Sequence, residues 1–430
     1  MVRIVKWLAA ALALGVLLLA GVAMALQFWL RTDDFRSRVE RDASAALGAP
    51  LKLGRLSVDL WPLPAVAADD VRLLTRPPLT IGRIEARPSW MALLGGRLEV
   101  ATLIARKAVL PETAIDFVGS AMQMKKNKGP AGRTGGKPSE KAEPGTASLT
   151  LRRVVLDQVT WIDAKGVRAT VNAEMNLGGD GLLDEASVDV VQGRFAGAKG
   201  SIRRKGSQWP LRVAIGGGEI TGNLQLQPGK TAGVLQLVGL ISTDKVEIAA
   251  LTAPDKPLTG KLQAQTTLRA EFKDVGQLRD ALKTETRFTV RDAVLQKLDL
   301  LKAVQTIGLS RGGTTQLDVL AGTVTTQGKA VQLTNLVATS GMLSATGNVS
   351  IAADKALSGR VNVDVAATGG TMGVPLAVGG TTDDPSVMLT RGAMLGAALG
   401  TLVAPGAGTA VGASAGNRLG DALGGLFGGK

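Results

Sequence analysis

The sequence predicts a mainly β protein: an elongated, curved antiparallel sheet with one apolar, groove-like face, few helices and a membrane helix in front of it. Three observations predict this. Apolar and polar residues alternate over most of residues 148–391, the period of strands with one buried face. A triplet of glycine, a polar residue and an apolar residue recurs along the chain, as glycine does where strands bend or bulge. Residues 7–30 carry no charged side chain, and about 20 apolar residues suffice for a helix to cross a bilayer.

The order of the elements follows from these patterns. Trp7, Leu12, Leu18, Phe28 and Trp29 belong to the uncharged run, with the aromatic pair near its far end, where such rings favour the headgroup level. A retained anchor is the reading taken. A cleaved secretory signal is the alternative, with Ala23-Met24-Ala25 as its cleavage site, although the apolar run continues past it. Counting positive charges places the body in the cytoplasm, because Arg31, Arg36, Arg38 and Arg41 outnumber Arg3 and Lys6. A large cysteine-free body behind a signal-like segment argues for export instead.

Asp33-Asp34 is read as the cap of a short helix whose apolar face is Phe35, Val39, Ala43, Ala46 and Leu47, ended by Gly48 and Pro50. The period then changes to two over residues 51–60, with a bulge or bend at Gly54. Further strands are expected at 71–74, 79–86, 98–104 and 109–110. Residues 125–147 crowd lysine, glycine and proline with no apolar period, which marks a basic linker. Strands return from 148, separated by turns at Lys165-Gly166, Pro228-Gly229 and Gln327-Gly328, with helical interruptions near 275–282 and 298–307. The chain therefore divides into an anchor (1–30), an N-terminal β region with a leading helix (31–124), the linker (125–147), a C-terminal β region (148–391) and a glycine/alanine-rich tail (392–430).

The recurring triplet begins at Gly54, Gly82, Gly96, Gly193, Gly200, Gly222, Gly260, Gly347 and Gly359. It indicates either repeated bends within strands or glycines that simply start them. In the tail, Gly392, Gly396 and Gly400 recur every fourth residue, and so do Gly408, Gly412, Gly416, Gly420 and Gly424 after Pro405-Gly406. That spacing puts glycine on one helical face, the seam of a glycine-zipper hairpin. A flexible tail is the other reading.

Composition excludes much chemistry. The chain has no cysteine and no histidine, so neither disulfides nor thiolate metal sites form, and the commonest general base and metal ligand are missing. No cofactor, metal or catalytic residue is nominated, and enzyme activity is not expected. Asp69-Asp70 and Asp383-Asp384 are read as turn chemistry rather than cation sites. The net charge of +14 favours anionic lipid headgroups over nucleic acid, because stacking aromatics amount to 3%. The candidate groove is lined by Val58, Leu60, Leu343, Val349, Ile351, Val361, Val363 and Val365, each on the apolar phase of its strand. Whether this face is an open trough for acyl chains or a closed core is left open by the alternation alone.

Four stretches resemble the AsmA family of bacterial envelope proteins, within the AsmA-like superfamily that includes TamB. They are the membrane helix followed by Phe35–Leu47 and the run from Leu51 to Pro62, the continuation Val71-Arg72-Leu73 to Ile84, Thr289-Val290-Arg291-Asp292-Ala293-Val294-Leu295, and Val378-Gly379-Gly380-Thr381-Thr382-Asp383-Asp384-Pro385. Ala293 stands where the family usually has glycine. The resemblance implies an inner-membrane, single-pass protein with its body in the periplasm and a groove-forming sheet related to chorein-type bridge proteins. It implies phospholipid as ligand, and a role in lipid transport or outer-membrane biogenesis. Family members that bridge membranes are longer, which implies a protein partner, an oligomer or a shorter task. The alternative is an envelope scaffold that pairs client strands at an exposed sheet edge.

Overall fold

The structure, a computed structural model, describes residues 32–59, 65–89, 99–127, 151–253, 256–273, 275–305, 312–341, 343–367 and 370–394. Among these residues the protein is mainly β, with twenty strands and a few short helices. The anchor run 7–30, Leu60 and the tail glycines from Gly396 onward lie outside the described residues. Within them, no helix is long and apolar enough to cross a membrane. The chain forms two compact units, Met1–Gly197 and Ala198–Lys430.

The first unit opens with α1 (Asp33–Leu47). Thr32, not the Asp33-Asp34 pair, caps it: the Thr32 hydroxyl accepts the Phe35 N–H at 3.4 Å, and the two acids occupy the first turn, where carboxylates favour the helix dipole. Gly48 ends the helix in the left-handed conformation. β1 (Leu51–Lys52) and β2 (Leu56–Asp59) are one expected strand, broken at Gly54, and both pair with β3 (Ala65–Leu73). At the break the Gly54 N–H donates to the Asp69 carbonyl at 3.0 Å. β4 (Leu79–Pro88) and β5 (Val100–Pro111) continue the sheet.

Two features correct the expectation. Helix α2 (Glu112–Asn127) follows β5 directly and runs three residues into the stretch read as linker. Its Ala114 is buried, and Val118 packs with Ala43 and Leu47 of α1 around Leu51, Val71 and Leu73. The next strand, β6 (Arg153–Ile162), pairs with β5 in parallel, so the sheet is not wholly antiparallel. A parallel neighbour needs a crossover of a dozen or more residues, and the segment that begins with α2 supplies it. β7 (Arg168–Leu177) and β8 (Leu183–Gln192) return to antiparallel pairing.

The second unit is antiparallel throughout, each strand pairing with the next. Its strands are β9 (Lys199–Arg203), β10 (Gln208–Ile215), β11 (Gly218–Pro228) and β12 (Leu235–Glu247). After α3 (Ile248–Thr252) come β13 (Leu258–Phe272), a 3-10 turn with α4 (Leu278–Ala281), and β14 (Lys283–Gln296). Helix α5 (Leu300–Gln305) precedes β15 (Thr314–Gln327), β16 (Ala330–Thr339) and β17 (Leu343–Ile351). The unit ends with β18 (Leu357–Ala367), β19 (Gly370–Gly380) and β20 (Pro385–Leu389). The pairing runs to β20 without closing: among the described residues β20 pairs only with β19. The two expected helical interruptions are α4, with its 3-10 turn, and α5.

Helix α5 plugs the core of this unit. Leu300 and Ala303 are buried against Val290, Leu317, Ala338, Leu343, Val363 and Leu376. The Thr315 hydroxyl holds the plug at its start, donating to the Leu298 carbonyl at 2.7 Å and accepting the Leu300 N–H at 2.9 Å. The strands are also bent by one device used twice. Gln158 in β6 and Asn335 in β16 are left-handed bulge residues with φ of 52° each. Each donates its N–H to an asparagine on the next strand, Asn172 at 2.8 Å and Asn348 at 2.9 Å.

Candidate functional site

Residues that pair across strands share a face, so the register reads out each face of the sheet. In the second unit one transverse row begins with Ile202, Leu211, Gly222 and Ile241 on β9–β12. Thr266, Thr286, Val324 and Leu333 carry it across β13–β16. Val349, Gly359, Val378 and Val387 complete it. Every member is apolar, glycine or threonine, and all but Val387 are half-buried. At about 4.8 Å per strand the row extends about 53 Å. A second row two residues along repeats the composition, from Trp209, Leu224 and Gly239 through Leu268, Thr284 and Thr326 to Val331, Ile351 and Leu357. The opposite face is mostly polar: Asn223, Thr267, Glu285, Thr325, Gln332 and Ser350 hold one register, with exposed Leu240 between the first two.

Glycine lets neighbouring strands approach closely on the apolar face. In a flat antiparallel pair, facing Cβ atoms stand about 4.5–5.5 Å apart. A Cβ at Gly222 would stand 2.7 Å from the Leu240 carbonyl oxygen, and one at Gly239 2.6 Å from Leu224 Cδ2. One at Gly322 would meet Leu336 Cδ2 at 2.8 Å, and Gly347 and Gly359 press against the Arg360 and Asn348 carbonyls. These five glycines lie on the apolar face, where bending brings neighbouring strands together. The recurring triplet is thus a curvature signal inside strands at Gly222, Gly347 and Gly359; at Gly260, with φ of 121°, it marks a bulge between Thr259 and Lys261. Gly82 also lies inside its strand, β4, while Gly193 follows β8 and Gly96 is outside the described residues.

The expected groove residues divide by depth. Leu343 and Val363 lie in the core closed by α5, and Val361 and Val365 pack against it. Val349 and Ile351 lie on the half-buried rows beyond the plug. Val58 is in the first unit, where it holds register with Val66 and, through β3–β5, with Ala86 and Leu103. That row continues as Val154, Met175 and Ala186, so the first unit has an apolar face of its own. Gly392 stands in a helical turn capped by Thr390, whose hydroxyl accepts the Ala393 N–H at 3.3 Å, and Ala393 enters the core.

On the other face of the first unit stands a charge network that sequence reasoning missed. Glu85 is 4% exposed and receives Arg83 Nε at 2.9 Å, Arg87 Nη2 at 3.2 Å and Arg106 Nη1. Arg83 also reaches Asp69 at 3.0 Å. Burial pushes the Glu85 carboxyl up, but the hydrogen bonds from Arg83 and Arg106 and the charge of Arg106 outweigh it and hold the group below its ordinary range. The hydrogen bond to Glu85 in turn raises the Arg83 guanidinium. The alternation Arg83, Glu85, Arg87 was the available signal, since residues two apart on a strand share a face. Asp69-Asp70 accordingly lies within β3 and not in a turn, whereas Asp383-Asp384 does lie in the β19–β20 turn, with Lys355 Nζ 2.7 Å from Asp383. Among the described residues no group of three or more acidic side chains is arranged to hold a metal ion.

Fold and face together define a mainly β protein of largely antiparallel strands, each of whose two units carries an apolar face. Among protein-family models, that of the AsmA family matches residues 1–364, and the chain belongs to that family. Comparison with curated proteins and comparison with solved structures each give no match.

Proposed function

We propose that this protein binds phospholipid acyl chains on its concave apolar face and contributes to lipid transport or outer-membrane biogenesis. The observation that carries the reading is the half-buried row from Ile202 to Val378, which contains no charged residue and is apolar or glycine but for Thr266 and Thr286. Acyl chains gain about 0.8 kcal/mol per buried CH₂ on such a surface. In this reading residues 7–30 anchor the protein in the bacterial inner membrane, its body stands in the periplasm, and the tail glycines pack as a helical hairpin at a membrane. It is a binding protein and not an enzyme, in keeping with the absence of histidine and cysteine from its sequence.

Native mass spectrometry of the full chain, released gently from an envelope fraction, tests the reading. Bound phospholipid is expected, and paired Leu333→Asp and Val349→Asp substitutions at half-buried positions are expected to remove it. A lipid-free mass for the parent chain overturns the proposal. It would favour a second reading, an assembly factor that pairs client strands along β20, whose Met388 is 57% exposed. A photo-cross-linker at Met388 would then capture an outer-membrane protein.

A further inference from the structure

Four threonines interrupt the apolar floor at one place. Thr266 and Thr286 face each other on β13 and β14 with their hydroxyls 2.9 Å apart, and Thr284 and Thr326 do so on β14 and β15 at 2.6 Å. Thr284 and Thr286 are two residues apart on one strand, so the pairs adjoin. All four are half-buried, and their register neighbours are Ile241, Leu268, Val324 and Val331. A hydroxyl has one proton and two acceptor sites. Within each pair one proton is spent on the partner and the other is left over, and among the described residues neither pair has a further side-chain partner.

We propose that this threonine quartet is a polar subsite that donates hydrogen bonds to the ester carbonyl of a glycerophospholipid lying in the trough. The proposal rests on the lipid-binding reading above and adds where the lipid is registered. Two leftover donors side by side in an apolar floor suit a neutral acceptor carried on hydrocarbon. A free fatty-acid carboxylate is disfavoured, because the two rows bring no lysine or arginine to neutralise it and an unpaired charge is costly there. An ester carbonyl accepts the same hydrogen bonds without charge. The glycerol region would then sit over β13–β15, with acyl chains running along the rows to either side.

The test offers the full-length protein equal amounts of dipalmitoyl phosphatidylethanolamine and its dihexadecyl ether analogue in mixed vesicles, then counts each bound species by native mass spectrometry. The ether lipid lacks both carbonyls and is otherwise matched. The parent chain is expected to prefer the diacyl lipid by about fivefold, the effect of one neutral hydrogen bond. Changing all four threonines to valine should abolish the preference while lipid still binds, and changing all four to serine should retain it. Equal binding of the two lipids by the parent overturns the subsite, as does a preference that survives in the valine variant. Binding of neither lipid by the parent overturns the lipid-binding reading itself, and the subsite with it.

Discussion

Replacing Gly222 with alanine tests whether the apolar face is concave. In most strands Gly→Ala is mildly stabilising, by about 0.4–1 kcal/mol, because the unfolded chain loses conformational freedom. At Gly222 the added carbon would stand 2.7 Å from the Leu240 carbonyl oxygen and 3.0 and 3.1 Å from Ile241 Cγ1 and Cα. Ordinary contact begins near 3.4 Å, and two of these atoms are backbone, so β11 and β12 must separate by roughly 0.7 Å. Overpacking of this kind costs about 1–3 kcal/mol, which leaves a net loss of about 1–2 kcal/mol after the entropic gain. Gly200 supplies the control. It is on the same apolar face in β9, but its added carbon would meet only Val213 Cγ2, at an ordinary 3.6 Å. Gly200→Ala should therefore stabilise. Thermal unfolding should lower Tm for Gly222→Ala by about 3–6 °C and raise it slightly for Gly200→Ala. If both variants are stabilised alike, the strands do not converge on that face and the argument for curvature fails.

Two further outcomes follow from the packing. Glu85 has its carboxyl held below the ordinary 4.5, so its contribution to stability is full above that value and is lost as pH falls through the lowered folded value. Glu85→Gln should cost about 1.5–3 kcal/mol at neutral pH, the range for hydrogen bonds to a charged group, since its arginine partners are part-exposed, and should flatten the decline in stability below pH 4.5; denaturant titrations across pH that give parallel curves for parent and variant would contradict this. Thr315→Val should cost about 2–3 kcal/mol, since it strands a buried N–H and a carbonyl at the start of α5, and amide exchange at Leu300 should accelerate. Unchanged protection of that amide would show that the threonine does not hold the plug.

Much of the fold was legible because strand alternation is local. The period of two marked the strands of both units, the break at Gly54 was visible in residues 51–60, and α4 and α5 announced themselves as gaps in the alternation. Helix α2 was not foreseen, although Ala114, Val118 and Ala121 recur at helical spacing; the lysine-rich segment that follows obscured it. The parallel pairing of β5 with β6 has no local signature at all, because strand direction is set by the crossover. Val349, Ile351, Val361, Val363 and Val365 hold one face by register, yet alternation carries no depth. Val349 and Val363 read identically in sequence, while one is half-buried and the other fully enclosed beside α5.

The sequence by itself determined which residues share a face, that glycine would recur where strands bend, and that chemistry dependent on histidine or cysteine is absent. These are properties of spacing and composition, and they hold whatever the strands pair with. Only the tertiary structure decided where the apolar face is sealed and where it is not. That depends on α5 folding back onto β15 and β18, a contact between residues distant in the chain. It also decided that Arg83, Arg87 and Arg106 converge on Glu85, and that two threonine pairs adjoin on β13–β15. Register, not residue type, brings such groups within bonding distance.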